Sequence, residues 1–224
     1  MPFMQSEFLS VLPDLFCWTR FGSEAGESIE HILIRKEQER LANGGLFLWG
    51  IGNAVGPSIS ELTRHTVRPH VVFSPIKTAP RLKDVAPPTI VMWTEAEGLD
   101  GSDFTLPSNS LVTSRHDPEA PRHHHYALVC YSSRPLIPLK PEHKIGFSQL
   151  SNLRTGRPIG ASQVTAVVRC GGTASEKSLM YDVAIVAELV HPYFVRLKKP
   201  CQLRSSKCDS PLPKTTSVPA QIAL

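Results

Sequence analysis

The residues whose types and spacing could do chemistry gather in a few stretches of the chain. Gly50, Gly52 and Gly56 form a G-x-G-x-x-x-G run behind an apolar segment, a spacing that raises a phosphate-cradling dinucleotide turn. Such a turn needs a helix that begins within the glycines and an acidic residue closing the next strand. Here the helix signal starts only near Ser58, and the next strand ends Ser74, Pro75, Ile76, Lys77. The glycines therefore read as a sharp bend at the end of a strand that carries Trp49, and no cofactor is assigned. His116, Asp117, His123, His124 and His125 offer imidazole and carboxylate groups of the kind that bind zinc or iron. On extended backbone His123 and His125 share a face while His124 points away, and no H-x-x-x-H or H-E-x-x-H spacing fixes a geometry. A solvated loop is expected and no metal is assigned. A small hydrolytic or metal-dependent enzyme using the 116–125 segment stays as the alternative, with His123, His125 and Asp117 as the residues to replace first. Cys130 and Cys170 lie in strand-like runs where small thiols pack, and no G-x-S-x-G elbow supplies a serine nucleophile. No catalytic residue follows from these patterns.

Aromatic side chains with polar or cationic neighbours point to a different chemistry. Trp18 with Arg20, Trp49 with Asn53, and Trp93 with Thr94 sit at the ends of strand-like runs, where they could converge and hold an unstacked base by stacking and edge hydrogen bonds. Lys77, Arg81, Lys83, Arg154 and Arg157 would then meet phosphates. Taken alone, each tryptophan reads first as the kind of side chain that anchors a core.

Composition narrows the class. With 41% hydrophobic and 20% charged residues, 224 residues suffice for one fair-sized core, so one folded domain over 1–203 is expected. A net charge of +4 is compatible with an anionic partner and too low to establish one. Five cysteines are an odd number and form no C-x-x-C pair, which favours reduced thiols and a cytoplasmic protein over a disulfide scaffold. No stretch approaches about 18 uncharged apolar residues, and the N-terminal segment lacks a basic n-region, so neither membrane spanning nor secretion is expected. Twenty prolines divide the middle of the chain into short strands with stiff connections.

The elements that would position these residues follow from periodicity and capping. FCWTRF, residues 16–21, reads as a strand with Trp18 and Arg20 on one face. A helix follows, capped near Ser23 or Ser28, with Ile29, Ile32, Leu33 and Leu41 as its apolar stripe and Arg35, Lys36 and Arg40 toward its C-terminal end. Asn43, Gly44 and Gly45 stop it. Residues 46–51 are apolar on both faces and predict a strand covered on both sides. Ser58 and Glu61 suggest a capping box for a short helix over 59–65. Further strands are expected at 70–74, 89–94, 111–115 and 126–132, a turn-rich loop at 98–109, and a short helix over 147–154. Residues 163–170 and 181–189 are expected to pair as an antiparallel hairpin, 191–197 to continue as a strand, and 204–224 to form a disordered tail. About seven strands with two or three helices imply an α+β fold: a mixed, mostly antiparallel sheet curled toward a pseudo-barrel.

The order strand, charged helix, tryptophan-bearing strand and then a run of short strands resembles the PUA-like superfamily, in particular its ASCH and EVE branches. The segments FCWTRF, SIEHILIRKEQERL and GLFLWGIGN carry the resemblance. It implies a compact pseudo-barrel that binds RNA or DNA and reads a modified or unstacked base in an aromatic cleft without catalysis. On that analogy Trp49 and Trp93 would be stacking walls, Asn53 a base-edge partner, and Arg20 a phosphate or base contact. A protein-interaction module built on the proline-rich loops and the tail is the remaining alternative.

Overall fold

The computed structural model describes residues 12–23, 25, 27–52, 55–76, 89–114, 124–136, 144–160, 163–171, 175 and 178–201. Asn53, Lys77, Arg81, Lys83, His116, Asp117, His123 and the expected tail over 204–224 lie outside the described residues.

The fold is α+β. In chain order its elements are β1 (Leu15–Phe21), α1 (Ile29–Ala42), β2 (Leu46–Ile51), α2 (Gly56–His65), β3 (His70–Pro75), β4 (Thr89–Gly98), β5 (Asp103–Phe104) and β6 (Leu111–Ser114). There follow β7 (His125–Tyr131), β8 (Lys144–Gly146), a 3-10 turn (Phe147–Gln149), β9 (Leu150–Asn152), β10 (Thr165–Cys170), β11 (Met180–Asp182) and β12 (Ile185–Cys201). Ten strands form one sheet with the path β2-β7-β12-β3-β1-β10-β9, and β4 joins it on β12, carrying β5 and β6. Apart from the parallel β1–β3 pair, the ladders are antiparallel. β8 and β11 make a separate ribbon.

The 17-residue β12 organises the sheet. β7 runs along one of its edges, while β3 and then β4 share the other. Its register on β7 shifts between Leu189 and Phe194, and within that interval Tyr193 adopts a φ of 66°, a left-handed conformation rare for an aromatic residue.

Strand alternation sends side chains into three cores. Cys17, Phe47, Trp49, Val71, Phe73, Leu128 and Cys130 pack with Ile32 and Leu33 of α1 and Ile59 and Leu62 of α2. The opposite faces of β1, β3 and β10 bury Phe16, Trp18, Val72 and Val168 with Ile145 and Leu150. The opposite faces of β2 and β7 bury Leu48, Ala127 and Val129 with Val91, Trp93, Val112, Val195 and Leu197. The expectation that 46–51 is covered on both sides is met for this physical reason.

The sheet is not closed into a barrel: among the described residues no ladder joins β2 to β6. The two strands nevertheless lie close, since a Cβ on Gly50 would come within 2.5 Å of Val112 Cγ1. Charged residues of α1 bridge the gap. Glu39 Oε1 accepts the Leu48 N–H of β2 at 2.8 Å, Lys36 Nζ donates to the Leu111 carbonyl of β6 at 2.8 Å, and the two side chains pair at 2.7 Å. Both are only 3% exposed, and burial holds the Lys36 pKa below its ordinary value against the opposing pull of Glu39. Arg35 Nη1 also donates to the Leu111 carbonyl at 2.9 Å. Strand-edge groups that would otherwise be orphaned are thus satisfied from the helix.

Several sequence expectations need correction. The buried face of α1 contains Lys36, Glu39 and Arg40 beside Ile32 and Leu33, while Leu41 and Ile34 are exposed; the charges face the sheet because they serve strand edges. The expected 163–170/181–189 hairpin does not form, because β10 pairs with β1 and β9, β11 with β8, and β12 begins on β3. The predicted helix over 147–154 is a 3-10 turn followed by β9, and α2 starts at Gly56 with Pro57 in its first turn and no side-chain cap. Cys17, Cys130 and Cys170 are free thiols, but Cys201 is disulfide-bonded, contrary to a fully reduced set.

Candidate nucleic-acid interface

The tryptophans expected to converge are held in three different cores. Trp18 is fully buried; its Nε1 donates to Ser74 Oγ at 3.0 Å and its ring packs edge-on to Phe147 and Tyr181. Arg20 lies on the same side of β1, with its guanidinium carbon 5.4 Å from the Trp18 ring and 5.5 Å from the Tyr181 ring. It donates to Tyr181 Oη at 3.1 Å and to the Gln163 carbonyl. Trp18 and Arg20 therefore meet, as their alternation on β1 implies, in an inward-facing cluster. Trp49, 7% exposed, packs against Phe21 at 5.1 Å and Phe73 at 4.4 Å on the helix side of the sheet. Alternation along β1 and β2 puts Trp18 and Trp49 on opposite faces, which prevents a shared cleft. Arg154 and Arg157 are exposed in the turn after β9.

Trp93 has different surroundings. It lines an open cleft of about 610 Å³ between residues 92–96 of β4 and the 103–109 loop. The cleft exists because β4 is paired with β6 through Met92 and with β5 from Ala96, and the connecting loop leaves the strand edge between them. The outer wall is fastened to α1: the C-cap residue Asn43 accepts the Ser108 N–H at 2.8 Å and donates to the Ser108 carbonyl at 2.9 Å. Asn43 Nδ2 also donates to the Glu39 carbonyl, so the loop is tied to the same helical turn that bridges β2 and β6. The Trp93 ring lies 4.8 Å from His125, whose Nδ1 is hydrogen-bonded to Ser114 Oγ. Trp93 Nε1 is buried without an acceptor among the described residues, a state that costs roughly 1–3 kcal/mol. Around it the walls combine Phe104 and Leu106 with Thr94, Ser108 and Asn109; the charged groups are Glu95 and Asp103 against Lys198.

A second cleft of about 180 Å³ lies between α2 and β12, with Ser60, Asp100, His191 and Tyr193 in its walls. Asp100 is held below the usual carboxylate range by the Ser102 hydroxyl and N–H. No hydrogen bond links these walls into a nucleophile–base relay among the described residues. Nor do three or more His, Cys, Asp or Glu side chains gather there as a metal site. His124 is exposed beside Arg196, at 2.9 Å, and the rest of the His-rich segment before His125 falls outside the described residues. Burial pushes the Cys17 thiol up to about 12 and that of Cys170 to about 11, so neither is a poised nucleophile.

No protein-family model, curated protein or solved structure matches the chain. Among the described residues no helix is long and apolar enough to cross a membrane. Sequence reasoning missed Phe104 and Lys198, which line the cleft, and Asn43, which fastens its outer wall. Asn43 carried a signal, as a C-cap polar residue, but its partner lies 65 positions away.

Proposed function

We propose that the chain is a nucleic-acid-binding module that seats an unstacked base in the cleft beneath the 103–109 loop and performs no chemistry on it. One observation carries the reading. Trp93, singled out in the sequence as an aromatic base contact, lines an open cleft of ligand size while remaining only 3% exposed, and its buried indole N–H has no acceptor among the described residues. Ligand clefts run to about 300–1,000 Å³ and combine apolar walls with a few directed polar groups, as Phe104, Leu106, Thr94 and Asn109 do here. Glu95 and Asp103 at the walls are balanced by Lys198 in the lining and by Lys199, which pairs with Glu95 at 3.0 Å, a near-neutral setting that suits an uncharged base. The close approach of β2 to β6, bridged by α1, supports a PUA-like pseudo-barrel as the architecture. RNA or DNA is the partner class. The free thiols support a cytoplasmic location, and the Cys201 disulfide stands against it.

Fluorescence anisotropy with labelled single- and double-stranded RNA and DNA, across a range of salt, tests this. Trp93→Phe keeps the core ring and removes the N–H. Binding to single strands is expected to weaken by about five- to tenfold, the worth of one hydrogen bond of about 1 kcal/mol or slightly more, with altered base preference. Absence of salt-dependent binding by the wild-type protein, or unchanged affinity and preference in Trp93→Phe, overturns it.

A further inference from the structure

We infer that the β9–β10 end of the sheet is a phosphate-backbone surface formed by Arg154, Arg157 and Arg169. Elsewhere most described basic side chains are matched: Arg35 with Glu27, Arg40 with Glu37, Arg68 with Glu188 and Lys199 with Glu95. Arg154, Arg157 and Arg169 are exposed and have no carboxylate partner among the described residues. Arg134 shares this condition but stands apart, after β7.

The three arginines are placed by backbone pairing. Arg169 of β10 lies opposite Ser151 of β9, and Ser151 is bridged in turn to Pro158. Two strand spacings, about 10 Å, therefore separate the backbone at Arg169 from that next to Arg157. Arg154 projects from the intervening turn, which is well tied. Asn152 Oδ1 accepts the N–H groups of Arg154 and Thr155, Asn152 N–H donates to the Arg157 carbonyl, and Gly156, at a φ of 65°, donates to the Asn152 carbonyl. A rigid turn presents its charges without an ordering cost on binding.

Guanidinium groups bind phosphate oxygens in a bidentate manner, and repeated phosphates need several such groups along one edge. An anionic membrane is the less suitable partner. None of the exposed large apolar side chains, Ile34, Leu41, Val67, Leu99 and Leu179, falls within residues 150–171, so nothing in this segment would insert among acyl chains. The inference rests on the nucleic-acid reading above and adds a second surface that works differently. The cleft reads a base, whereas this end holds the backbone regardless of sequence.

The decisive measurement is the slope of log Kd against log salt for single-stranded homopolymers of each base. It is made on the wild-type chain, on the triple variant Arg154→Gln/Arg157→Gln/Arg169→Gln, on the corresponding triple Lys variant, and on Trp93→Phe. Each phosphate contact contributes about 0.7 to the slope for single strands. The Gln triple variant is expected to lose about 2 units of slope and to bind every homopolymer more weakly by a common factor. The Lys triple variant keeps the slope, and Trp93→Phe keeps it while changing the ranking of bases. An unchanged slope in the Gln variant, with wild-type binding intact, overturns the arginine surface and leaves the cleft standing. Arginine-dependent binding to phosphatidylserine vesicles without binding to oligonucleotides overturns it in favour of a membrane. Failure of the wild-type chain to bind any homopolymer overturns both readings.

Discussion

Replacing Glu39 probes how the fold manages the gap between β2 and β6. In Glu39→Gln the side-chain oxygen can still accept the Leu48 N–H, so shape is kept and charge is removed. Lys36, 3% exposed, is then left beside a neutral partner. It can keep its charge in a poorly solvated site or release its proton. Release at pH 7, from an ordinary value of 10.5, costs about 5 kcal/mol and sets the ceiling. Breaking one side of a buried pair costs about 3–5 kcal/mol in general. Burial already holds the Lys36 pKa down, which places the expected loss near the lower end, about 3 kcal/mol. The double variant Lys36→Met/Glu39→Met separates charge from edge capping. Apolar replacement of a buried pair is commonly neutral or stabilising, but here the Leu48 N–H loses its acceptor, while Arg35 still serves the Leu111 carbonyl. One orphaned buried N–H predicts a loss of about 1–3 kcal/mol. Urea denaturation, comparing midpoints at a constant m-value, reads both numbers. A Glu39→Gln loss under about 1 kcal/mol refutes the buried-charge argument, and a double variant as stable as the wild type refutes the idea that these side chains cap strand edges.

Other expectations follow from the same packing. Gly50→Ala is expected to cost about 1–3 kcal/mol of overpacking, because its Cβ would meet Val112 Cγ1 at 2.5 Å; Val112→Ala on the same chain should restore part of the loss in thermal denaturation, and no restoration would count against the close approach. Cys17 is fully buried with its pKa raised from 9.0 to about 12, so the native state keeps a proton that the unfolded state releases. Its contribution to stability is full below about pH 9 and declines by about 1.4 kcal/mol per pH unit from there toward 12. The wild-type minus Cys17→Ala stability difference isolates this slope, and a flat difference from about pH 8 to 11 would contradict it. Asn43→Ala removes both bonds to Ser108; hydrogen exchange at the Ser108 amide should accelerate and base binding weaken, whereas unchanged exchange would show that the loop is held by something else.

Much of the element map is legible from local pattern, and most of the pairing is not. Ser28 reads as a cap and its Oγ accepts the His31 N–H; Gly44 and Gly45 read as a stop and both have positive φ. The two-sided apolar run at 46–51 announces a strand buried on both faces. Period-2 patterning says which face a residue occupies and nothing about the neighbouring strand, so β10 and β12 look like partners although their ladders lie elsewhere. The inward charges of α1 escape a hydropathy reading because their partners are the backbone groups of Leu48 and Leu111. The cleft follows from neither motif nor period. It depends on where a turn-rich loop departs from β4 and on one asparagine that fastens it.

The long strand β12 also bears on how such a chain acquires its structure. β12 supplies the ladder partner of β3, β4 and β7 together, so these earlier strands cannot complete their pairing during synthesis until residues 185–201 have left the ribosome. Contacts of this sequence separation are slow to form and leave apolar strand edges open in the meantime. Completion of the sheet therefore waits on the arrival of this segment, whatever the early helices have already formed.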